Sequence, residues 1–137
     1  DPRNKASGTL SIELDVLIES QQMRDQGLAP SRISHTNFKH QYWTVSQMVT
    51  QHTNGGCNLN PGDLFGSGTI SGPVREEGGA IIELTQGGKA PITLATSGEQ
   101  RAFLKDGDAV ILRGWCEKEG FARIGFGESK GEILAAV

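Results

Sequence analysis

Two turns of nearly the same sequence divide the second half of the chain into short runs. One lies in LNPGDL at residues 59–64, and the other lies in LKDGDAVIL at residues 104–112. In each, an apolar residue leads into a tight turn that ends in Gly-Asp, and an extended apolar run follows. Proline fixes φ and glycine permits positive φ, so both pairs favour turns. Such frequent turns predict short strands from residue 59 onwards.

The first part of the chain contains one strand pattern and one helix pattern. Apolar residues alternate with polar ones over residues 10–18, which is typical of a half-buried strand. Phe38, Tyr42, Val45 and Val49 are spaced by four, three and four, which predicts a helix near 37–53 that Thr36 or Asn37 caps. Residues 1–8 and 20–32 are polar and are predicted as loops.

The remaining sequence predicts a fold of short strands. These strands are expected near residues 63–69, 80–86, 91–95, 100–104, 108–116 and 121–127, with a short last one near 131–134. Many short strands with a single helix favour a mainly β (α+β) fold, arranged as a β-sandwich or a rolled sheet.

Composition limits the possible partners. The 137 residues suffice for one domain, and 13 basic and 16 acidic residues are interspersed, for a net charge of −3. This balance gives no reason to expect nucleic acid or a membrane as a partner. Cys57 and Cys116 lie far apart, which favours two reduced thiols in a cytoplasmic protein.

The stretch GDLFGSGTISGP at residues 62–73 is the first candidate site. It lacks the Lys-Ser/Thr ending of a phosphate-binding loop. Its glycines, Gly66, Gly68 and Gly72, could let another group lie against the backbone, where Thr69 offers a hydroxyl. Alternatively the stretch is a β-bulge, and Thr69 is there because threonine favours strands.

Glu83, within the run AIIEL, is the second candidate. In an extended strand it shares a face with Ile81, so it is either a buried carboxylate that needs a partner or an ordinary surface residue. The three histidines, His35, His40 and His52, have no metal-ligand spacing, and no acidic cluster accompanies them. We therefore expect no metal site within this chain.

Three longer stretches resemble the C-terminal third of the fumarylacetoacetase family. They are NFKHQYWTVSQMVTQHTNGGCNLNPGDLFGSGTISGP, RAFLKDGDAVILRGWC and ARIGFGESKGEIL. The resemblance runs in order from about residue 10 to residue 134. It implies a mixed β-sandwich roll, and it implies that residues 1–137 are the C-terminal portion of the catalytic domain. The upstream part of that domain and an SH3-like N-terminal domain would be absent.

The resemblance also implies a function. Family members hydrolyse a carbon–carbon bond of fumarylacetoacetate to give fumarate and acetoacetate, in tyrosine and phenylalanine breakdown. A divalent cation, Mg²⁺ or Ca²⁺, assists in the complete enzyme, which would be a cytoplasmic homodimer. By position, Glu83 matches the carboxylate that orients the catalytic histidine, and Thr69 matches the threonine that binds the diketo-acid substrate.

The family's histidine, metal ligands and remaining substrate-binding groups match no residue of this chain. We therefore expect the chain alone to bind no cation and to be inactive. Two alternatives are an acylpyruvate or other diketo-acid hydrolase or decarboxylase of the same superfamily, and a non-catalytic β-sandwich binding module.

Overall fold

Antiparallel strands form the two sheets of the computed structural model, which describes residues 1–136. The strands are β1 Glu13–Glu19, β2 Ser31–Asn37, β3 Ile92–Thr93, β4 Gln100–Arg101, β5 Ala109–Cys116 and β6 Ile124–Glu132. The helices are α1 Pro2–Ser7, α2 Gln21–Gln26, α3 Val45–Asn54 and α4 Ile81–Leu84, with 3₁₀ turns at Phe38–His40 and Arg75–Glu77. The main sheet has the order β2-β1-β5-β6, and β3 pairs with β4 in the second. The predicted mainly β fold is confirmed.

Strand β1 lies in the middle of the main sheet, and its burial does not alternate as predicted, because the neighbouring residues Leu17 and Ile18 are both buried. It begins three residues later than the pattern suggested and pairs with both β2 and β5. Leu17, which interrupts the alternation, lies opposite Ile111 of β5, and both side chains are buried. The register with β2 shifts between Val16 and Leu17. Leu17 and Ile111 therefore form an apolar pair on the face of the sheet that also carries Glu13, Asp15 and Glu19.

The hydrophobic core lies between β1, α2 and the segment that carries the second sheet. Ile18, Met23 and Leu94 are completely buried. The partly buried residues packed against them are Leu28, Ile33, Ile81 and Leu104. Because Ile81 belongs to α4, this short helix is anchored directly to the core.

The two similar turns of the sequence have the same hydrogen bonds. Asp63 N–H donates to the Asn60 carbonyl at 3.1 Å, and Asp108 N–H donates to the Lys105 carbonyl at 2.9 Å. In each turn the aspartate carboxylate also accepts from the first residue's N–H, at 2.8 Å and 2.9 Å respectively. The preceding glycines have φ of 96° and 83°. The sequence similarity therefore reflects one turn geometry used twice.

The second of these turns is held by a buried ion pair. Arg101 donates through Nε and Nη2 to the two carboxylate oxygens of Asp108, at 2.8 Å and 2.9 Å. Its Nη2 also donates to Glu99 at 2.9 Å. The Asp108 side chain is 1% exposed and that of Arg101 is 5% exposed. Bidentate geometry compensates for removing both charges from water.

The helix predicted near 37–53 is confirmed only in its second half. Thr36 and Asn37 belong to β2, and Asn37 caps only the 3₁₀ turn that follows. The cap of α3 is Thr44, whose hydroxyl accepts from Gln47 N–H while the Gln47 side chain accepts from Thr44 N–H. This reciprocal capping box satisfies two backbone N–H groups at once, so the helix starts after Thr44 and not after the predicted caps, Thr36 or Asn37.

The predicted loops at residues 1–8 and 20–32 are wrong in part. Residues 2–7 form α1 behind an Asp1 cap. Ser20 caps α2, and Gly27, with a φ of 65°, ends it. Strand β2 then begins at Ser31. Both helices have six residues and few apolar side chains, which is too little for a 3.6-residue period to show.

Five predicted strands also differ from those found. No strand forms at 63–69, and residues 81–84 are helical where a strand was predicted at 80–86. Strand β6 extends to Glu132, so that the first half of the separate strand predicted near 131–134 belongs to it. The strands at 91–95 and 100–104 form but have two residues each.

Within the described residues, no helix is long and apolar enough to cross a membrane.

Candidate functional site

Glu83 lies on α4, and its side chain points away from the core. A helix puts residues 81 and 84 on one face, where Ile81 packs on the core and Leu84 is 3% exposed. Ile82 and Glu83 are exposed as a result. Of the two alternatives that the sequence left open for Glu83, the buried carboxylate is wrong and the surface position is the one found.

Local backbone chemistry explains why AIIEL is a helix and not a strand. The run is five residues long. After Thr85 come Gln86, Gly87 and Gly88, whose φ values are 52°, 69° and 85°. Gly87 N–H donates to the Ile82 carbonyl at 2.8 Å. This hydrogen bond is typical of a Schellman motif, in which a residue of positive φ ends a right-handed helix. A short apolar run does not distinguish a strand from a buried helix, whereas the two glycines after it indicate the helix end.

The side chain of Arg75 binds the C-terminal end of α4. Its Nε and Nη2 donate to the Leu84 carbonyl at 2.8 Å and 2.6 Å, and Nη2 also donates to the Ala90 carbonyl at 3.2 Å. A guanidinium at the C-terminal end of a helix satisfies carbonyl groups that have no partner within the helix. Arg75 and the core contacts of Ile81 together hold the helix on which Glu83 stands.

Thr69 lies in an exposed irregular segment that passes close to Gly79. A Cβ on Gly79 would overlap the Ile70 carbonyl oxygen and would lie 2.5 Å from Thr69 Cγ2. The glycines of the stretch, Gly66, Gly68 and Gly72, were expected to let another group lie against the backbone. Gly66 and Gly68 have open space around them, whereas Gly72 lies against the Glu77 side chain. The space at Gly66 and Gly68 stays open to another group, as predicted, and within the chain Gly79 provides the close approach next to Thr69.

The Glu83 carboxylate accepts two hydrogen bonds, both at Oε2. Ser71 Oγ donates at 2.6 Å, and Gly79 N–H donates at 3.1 Å. Gly79 therefore contacts Thr69 on one side and Glu83 on the other, which brings the two predicted site residues together. Among the described residues, Glu83 Oε1 accepts no hydrogen bond and is left open to a donor from outside.

Ser71 and Arg75 were not predicted as site residues. Ser71 follows Thr69 by two positions in the same serine- and glycine-rich stretch, so a second hydroxyl at this spacing was a usable signal. Arg75 gave no such signal, because its partners are backbone carbonyls that a sequence pattern does not reveal.

The histidines of the chain lie elsewhere. Nδ1 of His35 is 2.7 Å from the Asp15 carboxylate on the charged face of the main sheet. The ring of His52 lies 5.3 Å from that of Phe65. Within residues 1–136, no histidine hydrogen-bonds to Glu83, so an imidazole for this carboxylate would have to come from another polypeptide segment.

The same residues offer no set of metal ligands. No group of three or more His, Cys, Asp or Glu side chains that could hold a metal ion occurs in the described part of the chain. The divalent cation that the family resemblance implies does not fit the side chains present here, since hard cations need several converging oxygen ligands.

Comparison with known proteins identifies relatives of nearly the whole chain. The profile of the family described as "Fumarylacetoacetate (FAA) hydrolase C-terminal" matches residues 12–132. The chain is 43% identical over 135 residues to a fumarylacetoacetase of Dictyostelium discoideum, covering 98% of this chain and 30% of that protein. It is 45% identical over 129 residues to the Homo sapiens fumarylacetoacetase, covering 94% and 29%.

The Caenorhabditis elegans fumarylacetoacetase is 49% identical over 129 residues, with 93% of this chain and 29% of that protein covered. The chain thus spans about 30% of the length of the curated relatives it matches.

Proposed function

The chain belongs to the fumarylacetoacetate hydrolase family, and from this we propose that it supplies Glu83 and Thr69 to the active site of a carbon–carbon bond hydrolase. The proposed substrate is fumarylacetoacetate, a diketo acid, and the products are fumarate and acetoacetate. The relatives named above, all fumarylacetoacetases, support this choice. Because the chain spans only part of their length, we propose that the other catalytic groups come from additional polypeptide.

The single observation that carries the proposal is the hydrogen bonding of Glu83. Ser71 and Gly79 donate to its Oε2, while the Oε1 of this exposed residue accepts no hydrogen bond from the described residues. A carboxylate held in this way can accept the N–H of an imidazole and so select the tautomer whose other nitrogen takes a proton from water. An exposed glutamate without fixed partners would not provide a defined orientation.

The reaction needs such a base because water is a poor nucleophile at neutral pH. The water oxygen forms a bond to the carbonyl carbon that becomes the fumarate carboxylate, and its proton passes to the imidazole. The carbon–carbon bond then breaks, and its electron pair leaves as the enolate of acetoacetate, which takes up a proton. General-base assistance of this kind contributes about 10²–10⁴-fold, and Glu83 would stabilise the imidazolium that forms.

Thr69 is proposed to bind the substrate. Its segment is exposed, and it lies against Gly79, which also donates to Glu83. A hydroxyl donates one hydrogen bond and accepts others, so Thr69 can orient a carbonyl or carboxylate oxygen of a diketo acid.

Substrate turnover tests the proposal. The full-length natural polypeptide that carries these residues, with a divalent cation present, is expected to hydrolyse fumarylacetoacetate, followed as loss of the absorbance of its conjugated diketone. Values of kcat/KM for acylpyruvates and other diketo acids should be lower. A preference for one of those acids would reassign the substrate within the same reaction class, and ligand binding without any turnover would indicate a binding module instead. The predicted homodimer and cytoplasmic location stay predictions.

A further inference from the structure

The Ser71 hydroxyl donates a hydrogen bond to the Glu83 carboxylate at 2.6 Å. We propose that Ser71 is a positioning residue for the hydrolysis, which acts through Glu83 and does not contact the substrate. This inference rests on the proposed function of Glu83, and it adds a residue to which neither the motif nor the resemblance gave a role.

The need for such a residue follows from the exposure of Glu83. A glutamate side chain at a helix surface populates several rotamers, and ordering it costs conformational entropy. Two donors on one carboxylate oxygen restrict this freedom, with Ser71 Oγ at 2.6 Å and Gly79 N at 3.1 Å. Positioning a catalytic group in advance of the reaction is a recognised source of rate acceleration.

The hydroxyl of Ser71 is itself oriented by the backbone. Gly79 N–H donates to Ser71 Oγ at 3.2 Å, so this oxygen acts as an acceptor there and its own O–H is free to donate to Glu83. The next residue is fixed as well, because Gly72 N–H donates to the Glu77 carbonyl at 3.0 Å. Ser71, Gly79 and Glu83 therefore form a closed triangle of hydrogen bonds.

Removal of the Ser71 hydroxyl should affect the chemical step more than substrate binding. In the full-length natural polypeptide, we expect Ser71→Ala to lower kcat about 10-fold, the usual scale for losing a hydrogen bond to a charged group, with KM nearly unchanged. Ser71→Thr keeps the hydroxyl and should restore most of kcat. Ser46→Ala is the matched control, since Ser46 is an exposed serine on α3, outside the candidate site, and the variant should behave like wild type.

A double-mutant cycle separates positioning from a general effect on structure. If Ser71 acts through Glu83, the loss of kcat caused by Ser71→Ala should disappear in a Glu83→Gln background. If Ser71→Ala has no effect alone, or lowers kcat by the same factor in both backgrounds, the positioning role is wrong and the proposed function stands. If wild type does not hydrolyse fumarylacetoacetate, or Glu83→Gln is without effect, the proposed function is wrong and the role of Ser71 falls with it.

Discussion

The Ser71 hydroxyl donates to the Glu83 carboxylate at 2.6 Å and thereby joins the glycine-rich stretch to α4 across 12 residues. Gly79 completes this connection, because its N–H donates to Glu83 and its Cα lies against the Thr69 segment. The two site residues suggested by the sequence are thus linked through a third segment.

Gly79 is expected to tolerate no side chain. The Cβ of Gly79→Ala would overlap the Ile70 carbonyl, and overpacking of this kind costs about 1–3 kcal/mol. Urea unfolding should show this loss of stability, together with reduced turnover. Gly66→Ala is the matched control, because a Cβ there meets nothing within 4 Å and should change stability by less than about 0.5 kcal/mol. Equal stabilities of the two variants would contradict the proposed packing.

Glu99 is expected to make stability depend on acid pH. Its pKa is lowered from 4.5 to about 2, mainly because the Ser20 hydroxyl donates to it, while burial acts in the opposite direction and Arg101 and Ser97 lower it further. Since the folded pKa is lower than the unfolded one, this stabilisation is fully present above about pH 4.5 and is lost as the pH falls towards about 2.

The measurement is the free energy of unfolding in urea at several pH values between about 2 and 6. The decrease on acidification should be shallower in Glu99→Gln than in wild type. Parallel curves for the two proteins would show that Glu99 does not contribute to the acid dependence.

Exposed apolar surface on the main sheet should make the isolated 137-residue chain associate. Leu112 is 48% exposed and Phe126 is 64% exposed, and every residue of the edge strand β6 is exposed. Unpaired strand edges and apolar patches promote association. Sedimentation velocity should show species larger than a monomer, and a variant with both Leu112→Lys and Phe126→Lys should shift the distribution towards monomer. A compact wild-type monomer at all concentrations would contradict this prediction.

Features with a repeated or periodic signal could be predicted from the sequence. The alternation over residues 10–18 indicated β1, and the two Gly-Asp turns share one geometry in the structure. The 3.6-residue period located α3 but not its start, because the capping box at Thr44 lies within the predicted helix. The T-x-x-Q spacing of Thr44 and Gln47 is a local signal for a helix start that the apolar period alone does not contain.

Features that depend on a few residues could not be predicted. Residues 80–86 combine β-branched and apolar side chains, which favour a strand, yet the positive φ values at Gln86 and Gly87 close a helix there. This change of structure turns Glu83 to the surface. The hydrogen bond from Ser71 depends on how two segments fold together, which one sequence does not reveal.

The central claim is that the Glu83 carboxylate orients an imidazole through its free Oε1. The most direct measurement is kcat of Glu83→Gln in the full-length natural polypeptide, with the exposed Glu76→Gln as the matched control. We expect a decrease of at least about 100-fold for Glu83→Gln, because the amide neither stabilises an imidazolium nor reliably selects its tautomer, and near wild-type turnover for Glu76→Gln. If kcat of Glu83→Gln were within about twofold of wild type, which corresponds to a change of about 0.4 kcal/mol in the activation barrier, the proposed role of Glu83 would be wrong.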